Sequence, residues 1–265
     1  MAMEYNSIQL QRDGAIAVLS LHRPKTMNAL ATELQKEMLH ALAAIEQDDN
    51  VRALIVTGSG RAFCSGADLG TMAPASDESV GTRVARMMRE TSVPLIQALR
   101  RCRVPVVSAV NGAAAGAGAS LALAGDVVVA ARSAYFLFPF IPTLGILPDL
   151  GATWHLPRLA GSARAMGATL LGERIPSEQA ERWGMIWGCC DDEALEKTSR
   201  ELATRLAALP RGAALEARRA LDAAQHNTLD QQMELETQGQ QRLIDSDAFQ
   251  EGVQAFLEKR RPNFD

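Results

Sequence analysis

The run Asn111-Gly112-Ala113-Ala114-Ala115-Gly116-Ala117-Gly118-Ala119-Ser120 lies between a strand-like segment, Val104 to Val110, and a helix-like one, Leu121 to Gly125. A strand that passes through small residues into a helix leaves its backbone N–H groups open to close approach, and a bound carbonyl suits such donors. Further on, Gly145-Ile146-Leu147-Pro148-Asp149-Leu150-Gly151 places one carboxylate on a turn bounded by Gly and Pro, after an apolar run. Asp149 is therefore the leading catalytic candidate.

Strand and helix patterns alternate outward from this junction. Ile8 to Leu10 and Ala15 to Leu19 flank Asp13-Gly14 and read as a hairpin. Asn28 is placed to cap a helix over Leu30 to Gln47, whose stripe is Leu30, Leu34, Met38, Leu39, Leu42 and Ile45. Val51 to Val56 reads as a strand, Met72 to Gly81 as a loop that either shapes a substrate entrance or is a flexible surface excursion, and Thr82 to Arg100 as a helix. Asp126 to Ala130 returns to strand character. This alternation predicts an α/β topology. From Ser162 the pattern is mostly helical, with Pro210 and Gly212 as punctuation, and a helical C-terminal region is expected from about residue 200.

The chain has 265 residues, 47% of them hydrophobic, which suffices for one sizeable core. Lys plus Arg number 27 against 31 Asp plus Glu, for a formal charge of -4, so nothing favours a nucleic-acid surface. Cys64, Cys102, Cys189 and Cys190 show neither metal-ligand spacing nor a disulfide framework, and reduced thiols in the cytoplasm are expected. His22, His40, His155 and His226 form no metal motif, so no metal is expected. Asn111, Ser120 and Asp126 interrupt the Ala/Gly-rich stretch, which argues against a membrane span.

Phe63-Cys64-Ser65-Gly66-Ala67-Asp68-Leu69 and Gly116-Ala117-Gly118, preceded by Arg23-Pro24-Lys25-Thr26-Met27-Asn28-Ala29-Leu30, resemble the oxyanion-hole motifs of the crotonase, or enoyl-CoA hydratase/isomerase, superfamily. The resemblance covers nearly the whole chain. It implies a crotonase-like ββα spiral core over residues 1–199 and a C-terminal helical trimerisation region over 200–265. It implies an acyl-CoA thioester substrate, with coenzyme A as part of that substrate and no separate cofactor. Ala67 and Ala117 would supply the two N–H donors to the thioester oxygen. Lys25 and Arg61 would lie near the coenzyme A entrance, and Phe256 and Lys259 would complete a neighbouring subunit's pocket in a homotrimer or hexamer.

Two departures bear on the reaction. A two-carboxylate hydratase of this superfamily has glutamates at the positions matching Ser120 and Phe140, and neither residue can replace a carboxylate as an acid or base. Asp149 instead matches a carboxylate used by isomerase-like members. The segments Ala115 to Ala119, Gly145 to Asp149, Leu156 to Gly167 and Trp183 to Trp187 are similar to the 1,2-epoxyphenylacetyl-CoA isomerases of phenylacetate degradation. That likeness implies conversion of 2-(1,2-epoxy-1,2-dihydrophenyl)acetyl-CoA to oxepin-CoA, with other enzymes of that pathway as partners. The alternative is interconversion of 3-enoyl-CoA and trans-2-enoyl-CoA, followed by hydration or non-catalytic acyl-CoA binding. Asp68 is expected to organise its loop, Asp126 to be structural, His155 to pack or lie on a helix surface, and Trp154 either to border the acyl pocket or to close the core.

Overall fold

A computed structural model describes residues 5–72 and 78–264, so residues 73–77 of the expected entrance loop lie outside the described part. The chain opens with the hairpin β1 (Ile8–Asp13) and β2 (Ile16–Leu21), paired antiparallel with Asp13 opposite Ile16. Helix α1 (Thr32–Gln47) follows and buries Leu34, Gln35, Met38, Ala41, Leu42 and Ile45. Strands β3 (Ala53–Gly58) and β4 (Ala62–Cys64) lead to helices α2 (Val80–Met87) and α3 (Val93–Arg101). Strands β5 (Val106–Val110) and β6 (Ala113–Ala115) lead to α4 (Ala117–Ala122). Strands β7 (Val127–Ala131) and β8 (Tyr135–Leu137) lead to α5 (Ala152–Ala160) and α6 (Ser162–Leu171). Each turn of this spiral is thus two strands and a helical segment.

Both strands of the hairpin and the first strand of each later turn join a six-stranded sheet in the order β1-β2-β3-β5-β7-β10, parallel from β2 onward, and the second strand of each later turn joins a four-stranded sheet in the order β4-β6-β8-β9. The remaining members are β9 (Ile175–Pro176), helix α7 (Ser177–Arg182) and β10 (Gly188–Cys190). All five residues of β5 and the first four of β3 are buried, the continuous apolar run required of parallel strands covered on both faces. Helix α8 (Leu195–Ala207) packs against β2, β3, β5 and β7. Position 200 falls inside α8, so the helices that follow the sheet layer are α9 (Ala213–Ala223), α10 (Leu229–Ile244) and α11 (Asp247–Glu258). Leu195 is buried and Leu202 and Leu206 pack on the core, whereas Leu221 and Leu229 are exposed. Among the described residues no helix is long and apolar enough to cross a membrane.

Two local expectations are corrected. Asn28 does not cap α1, because Ala31 occupies the N-cap position. Asn28 is buried in the left-handed region at φ 56°, which Asn tolerates better than most side chains. Its Nδ2 donates to the carbonyls of Ser59 (3.0 Å), Ala62 (2.8 Å) and Phe63 (3.2 Å), and its Oδ1 accepts from the Arg23 N–H at 2.8 Å. The residue therefore ties the 23–30 segment to β4. The single helix expected over 82–100 is divided by a π-helical turn, Met88–Ser92, ahead of α3. Pro94 in the first turn of α3 has no N–H to donate backward, and a wide turn accommodates the lost bond.

Arg218 on α9, only 6% exposed, fixes that helix to the sheet. Its Nη2 donates to the Val104 carbonyl at 2.8 Å and to Asp126 Oδ2 at 2.7 Å, while Nε pairs with Asp126 Oδ1. Asp126 Oδ2 also accepts from the Val106 N–H at 2.7 Å. Removing one member of such a pair strands the other charge, at a cost of about 3 kcal/mol. Arg218→Ala is expected to lower unfolding stability by about that amount in urea titrations.

Candidate active site

The two motif loops meet because two backbones can touch. Gly66 has φ 97°, and a Cβ there would stand 2.7 Å from the Ala115 carbonyl oxygen and 3.4 Å from the Ala117 nitrogen. At Gly118 a Cβ would come within 2.3 Å of the Cys64 carbonyl oxygen. No larger residue fits either position without moving backbone. The Gly66 carbonyl accepts from the Leu30 N–H at 2.8 Å, which registers the loop against the chain entering α1. Arg23 Nη1 donates to Asp68 Oδ2 at 3.0 Å and to the Ala29 carbonyl at 2.8 Å, fastening the far side of the loop. Asp68 thus organises the loop, as its position implies.

Ala117 is the first residue of α4, so its N–H has no acceptor within the helix. Ala67 and Ala117 line one cavity of about 30 Å³ together with Asp149. Its polar walls are Gln35, Asp68, Ser92 and Asp149, and Leu30, Val84, Met87, Met88 and Leu150 supply apolar surface. The three residues that the sequence places 32 and more positions apart therefore converge.

Asp149 is held by its backbone and left open at its side chain. Its carbonyl accepts from Ser120 Oγ at 2.9 Å and from the Ala152 N–H at 3.0 Å. Leu150 at φ 49° and Gly151 at φ 87° then turn the chain into α5. Two successive left-handed residues, one of them a leucine, are an uncommon conformation. The Asp149 Oδ1 atom is buried with no hydrogen-bond partner among the described residues. Burial pushes this carboxyl up to about 6, against a smaller opposing effect of its own backbone N–H. Ser120 anchors the backbone of the candidate base. Phe140 is buried, and its ring would lie 3.8 Å from a Cβ on Gly116.

Other sequence candidates sit elsewhere. Trp154 and His155 on α5 line a separate cavity of about 920 Å³ with Arg100, Arg158 and Asp222, and Asp149 does not. The left-handed turn at Gly151 directs the start of α5 away from the carboxylate. His155 is buried, and burial followed by the Arg100 charge pushes it down to about 4, so it is a neutral packing residue. This larger space is lined by neither Ala67 nor Ala117. Lys25 and Arg61 are exposed, and Lys25 adjoins Thr26, whose carbonyl accepts from the Ser65 hydroxyl at 3.1 Å. Phe256 is 81% exposed on α11, Lys259 ends that helix, and neither lines the small cavity of its own chain. Cys64, beneath the loop, is buried and its thiol is pushed up to about 12 by burial, which makes it inert packing. Among the described residues no cluster of His, Cys, Asp and Glu could hold a metal.

Gln35 was not foreseen as a site residue. Its signal was present, since a glutamine at position 35 stands on the same helical face as Met38, Leu39 and Leu42.

Comparison with known proteins gives three findings. A family model described as enoyl-CoA hydratase/isomerase matches residues 11–265. The 1,2-epoxyphenylacetyl-CoA isomerase of Escherichia coli K12 is 45% identical over 254 residues, 94% of each chain, and a Rhodobacter capsulatus protein named probable enoyl-CoA hydratase is 46% identical over 262 residues, 99% of each. The crystal structure of enoyl-CoA hydratase from Bacillus anthracis superposes with a TM-score of 0.90 at 31% identity, covering 98% of this chain and 99% of that one.

The orphaned carboxylate generates a stability prediction. Its folded value, about 6, exceeds the ordinary 3.8, so the folded protein holds this proton more tightly and loses stability as pH rises from about 4 to about 6. Asp149→Asn removes that penalty. The variant is expected to be more stable than the wild type at pH 8, by on the order of 2 kcal/mol, and the gain should vanish below about pH 4. Thermal unfolding across that range measures it.

Proposed function

The chain belongs to the enoyl-CoA hydratase/isomerase family and carries hydratase/isomerase chemistry on acyl-CoA substrates, and within that chemistry we propose that it is a single-carboxylate isomerase. The observation that supports this most is Asp149 Oδ1, a buried and unpartnered carboxylate oxygen on the cavity that Ala67 and Ala117 also line. The other carboxylate on that cavity, Asp68, is engaged by Arg23.

In this reading the Ala67 and Ala117 N–H groups hydrogen-bond the thioester oxygen. Negative charge that builds there on loss of a C2 proton is stabilised without any charged side chain. Asp149, ionised above about pH 6, takes the C2 proton of a 3-enoyl-CoA. The electron pair delocalises through the dienolate, and the same carboxylic acid returns its proton at C4, leaving trans-2-enoyl-CoA. One mobile proton and one carboxylate suffice. Addition of water with a second carboxylate has no support at Ser120 or Phe140, since the Ser120 hydroxyl is spent on the Asp149 carbonyl and a phenyl ring carries no proton to transfer.

A second reading is favoured by one finding, the 45% identity to the Escherichia coli 1,2-epoxyphenylacetyl-CoA isomerase over 94% of each chain. In it the same N–H pair and Asp149 act on the epoxide-bearing acyl group and give oxepin-CoA. The Rhodobacter capsulatus relative, equally similar, carries a hydratase name, so sequence likeness alone does not choose.

Lys25 and Arg61 would meet the phosphates of coenzyme A. The apolar side chains that α9 to α11 leave exposed, Leu221, Leu229, Phe256 and Leu257 among them, support assembly into a trimer or hexamer in which Phe256 and Lys259 reach a neighbour's site. Light scattering is expected to give the mass of three or six chains, and an active monomer would contradict this assembly.

Turnover of 3-hexenoyl-CoA, the epoxide thioester and trans-2-hexenoyl-CoA, compared on one preparation, tests the reaction. The 3-enoyl substrate is expected to isomerise with a rate that rises through about pH 6 and levels above it. Asp149→Asn should reduce that rate by about 100-fold or more. Oxepin formation in preference to double-bond movement would select the second reading, and 3-hydroxyacyl-CoA as the main product would overturn both.

A further inference from the structure

Gln35 stands on the buried face of α1 and is only 2% exposed. Its Nε2 donates to the Leu30 carbonyl at 2.9 Å, which commits the nitrogen side of the carboxamide. Its Oε1 is buried and has no hydrogen-bond partner among the described residues. Asp149 Oδ1 is in the same condition, and both residues line the same small cavity. A buried acceptor without a donor is costly, and native proteins rarely retain one unless something outside the protein's own groups supplies the donor. Two such acceptors on one cavity cannot satisfy each other while Asp149 is ionised. They call for a small group that brings hydrogens of its own, and about 30 Å³ admits one water-sized group.

We propose that Gln35 is a ligand-binding residue of the acyl cavity, its Oε1 accepting a hydrogen bond from an O–H group seated beside Asp149. The inference rests on the acyl-CoA reading for one of the two sources of that group, a hydroxyl on the acyl chain, which gives its hydrogen to Gln35. The other source is a water that gives one hydrogen to Gln35 and one to Asp149. The thioester oxygen is a different guest. It is an acceptor and needs the N–H donors, so Gln35 repels it and helps to fix which end of the acyl group lies where. Saturated acyl groups leave the glutamine unsatisfied unless the water remains.

Calorimetric titration of the wild type and Gln35→Met with butyryl-CoA and the two enantiomers of 3-hydroxybutyryl-CoA tests this, together with a high-resolution crystal structure of the ligand-free wild type. If the acyl hydroxyl is the source, the wild type binds one hydroxy enantiomer about tenfold more tightly than butyryl-CoA, the worth of roughly one hydrogen bond in a buried site. In Gln35→Met that preference falls to within about twofold, because a thioether is a weak acceptor. If water is the source, the preference is absent and the crystal structure shows a water within hydrogen-bond distance of Gln35 Oε1 and Asp149 Oδ1. Absence of both the preference and the water overturns the proposal, as does a preference that survives in Gln35→Met. The wild-type comparison and the structure require no variant to fold. Failure of the wild type to bind any of the three thioesters counts against the acyl-CoA reading instead, and the water in the free protein still decides the place of Gln35.

Discussion

The contact on which the rest depends is that between the backbones of β4 and the β6–α4 junction. Gly118 lies so close to Cys64 that a methyl group would stand 2.3 Å from its carbonyl oxygen, and one on Gly66 would stand 2.7 Å from that of Ala115. Only at that separation can Ala67 and Ala117 border one small cavity. The two sheets make the approach rigid. Strands β4 and β6 pair within the small sheet, so the starts of both loops are held side by side, and α4 follows directly on the second. Asn28 and the Arg23–Asp68 pair then fasten the same loop from its outer side. Donors fixed in this way need little reorganisation when charge appears on a bound oxygen, which is what makes backbone N–H groups effective in such sites.

Asp149 shows the opposite strategy. Its backbone is fixed by Ser120 and by the first turn of α5, but its carboxylate is buried and its Oδ1 has no hydrogen-bond partner among the described residues. That raises its affinity for a proton into the range where it can both take and return one. The arrangement costs stability, and the neighbouring left-handed Leu150 adds strain of a kind often found at functional positions. A serine where a second carboxylate could stand acts here as a backbone anchor.

Much of the fold could be read from the sequence, for identifiable reasons. The hairpin, the core strands and α4 follow from short-range patterns, and Ala67, Ala117 and Asp149 do meet in space. Readings that required distant partners were lost. Asn28 has the chemistry of a helix cap, but three carbonyls from the β3–β4 region claim it. The Arg218 to Asp126 pair joins residues 92 positions apart, and no local pattern announces it. Trp154 and His155 follow Asp149 closely in sequence, yet the left-handed turn at Gly151 sends them toward another cavity. Gln35 was legible in principle, because an uncharged polar side chain interrupted an apolar stripe, but its meaning depended on an unpaired oxygen that only the packed structure reveals.

The central claim is that a backbone N–H pair and a single carboxylate together make a carbon beside a thioester acidic. Exchange of the C2 hydrogens of butyryl-CoA with deuterium in D2O, followed by NMR, tests it most directly, since a saturated acyl chain permits neither double-bond movement nor hydration. The account predicts exchange with the wild type above about pH 6 and none above background with Asp149→Asn. Exchange that persists undiminished in that variant, or its absence in a wild type that binds butyryl-CoA, would contradict it.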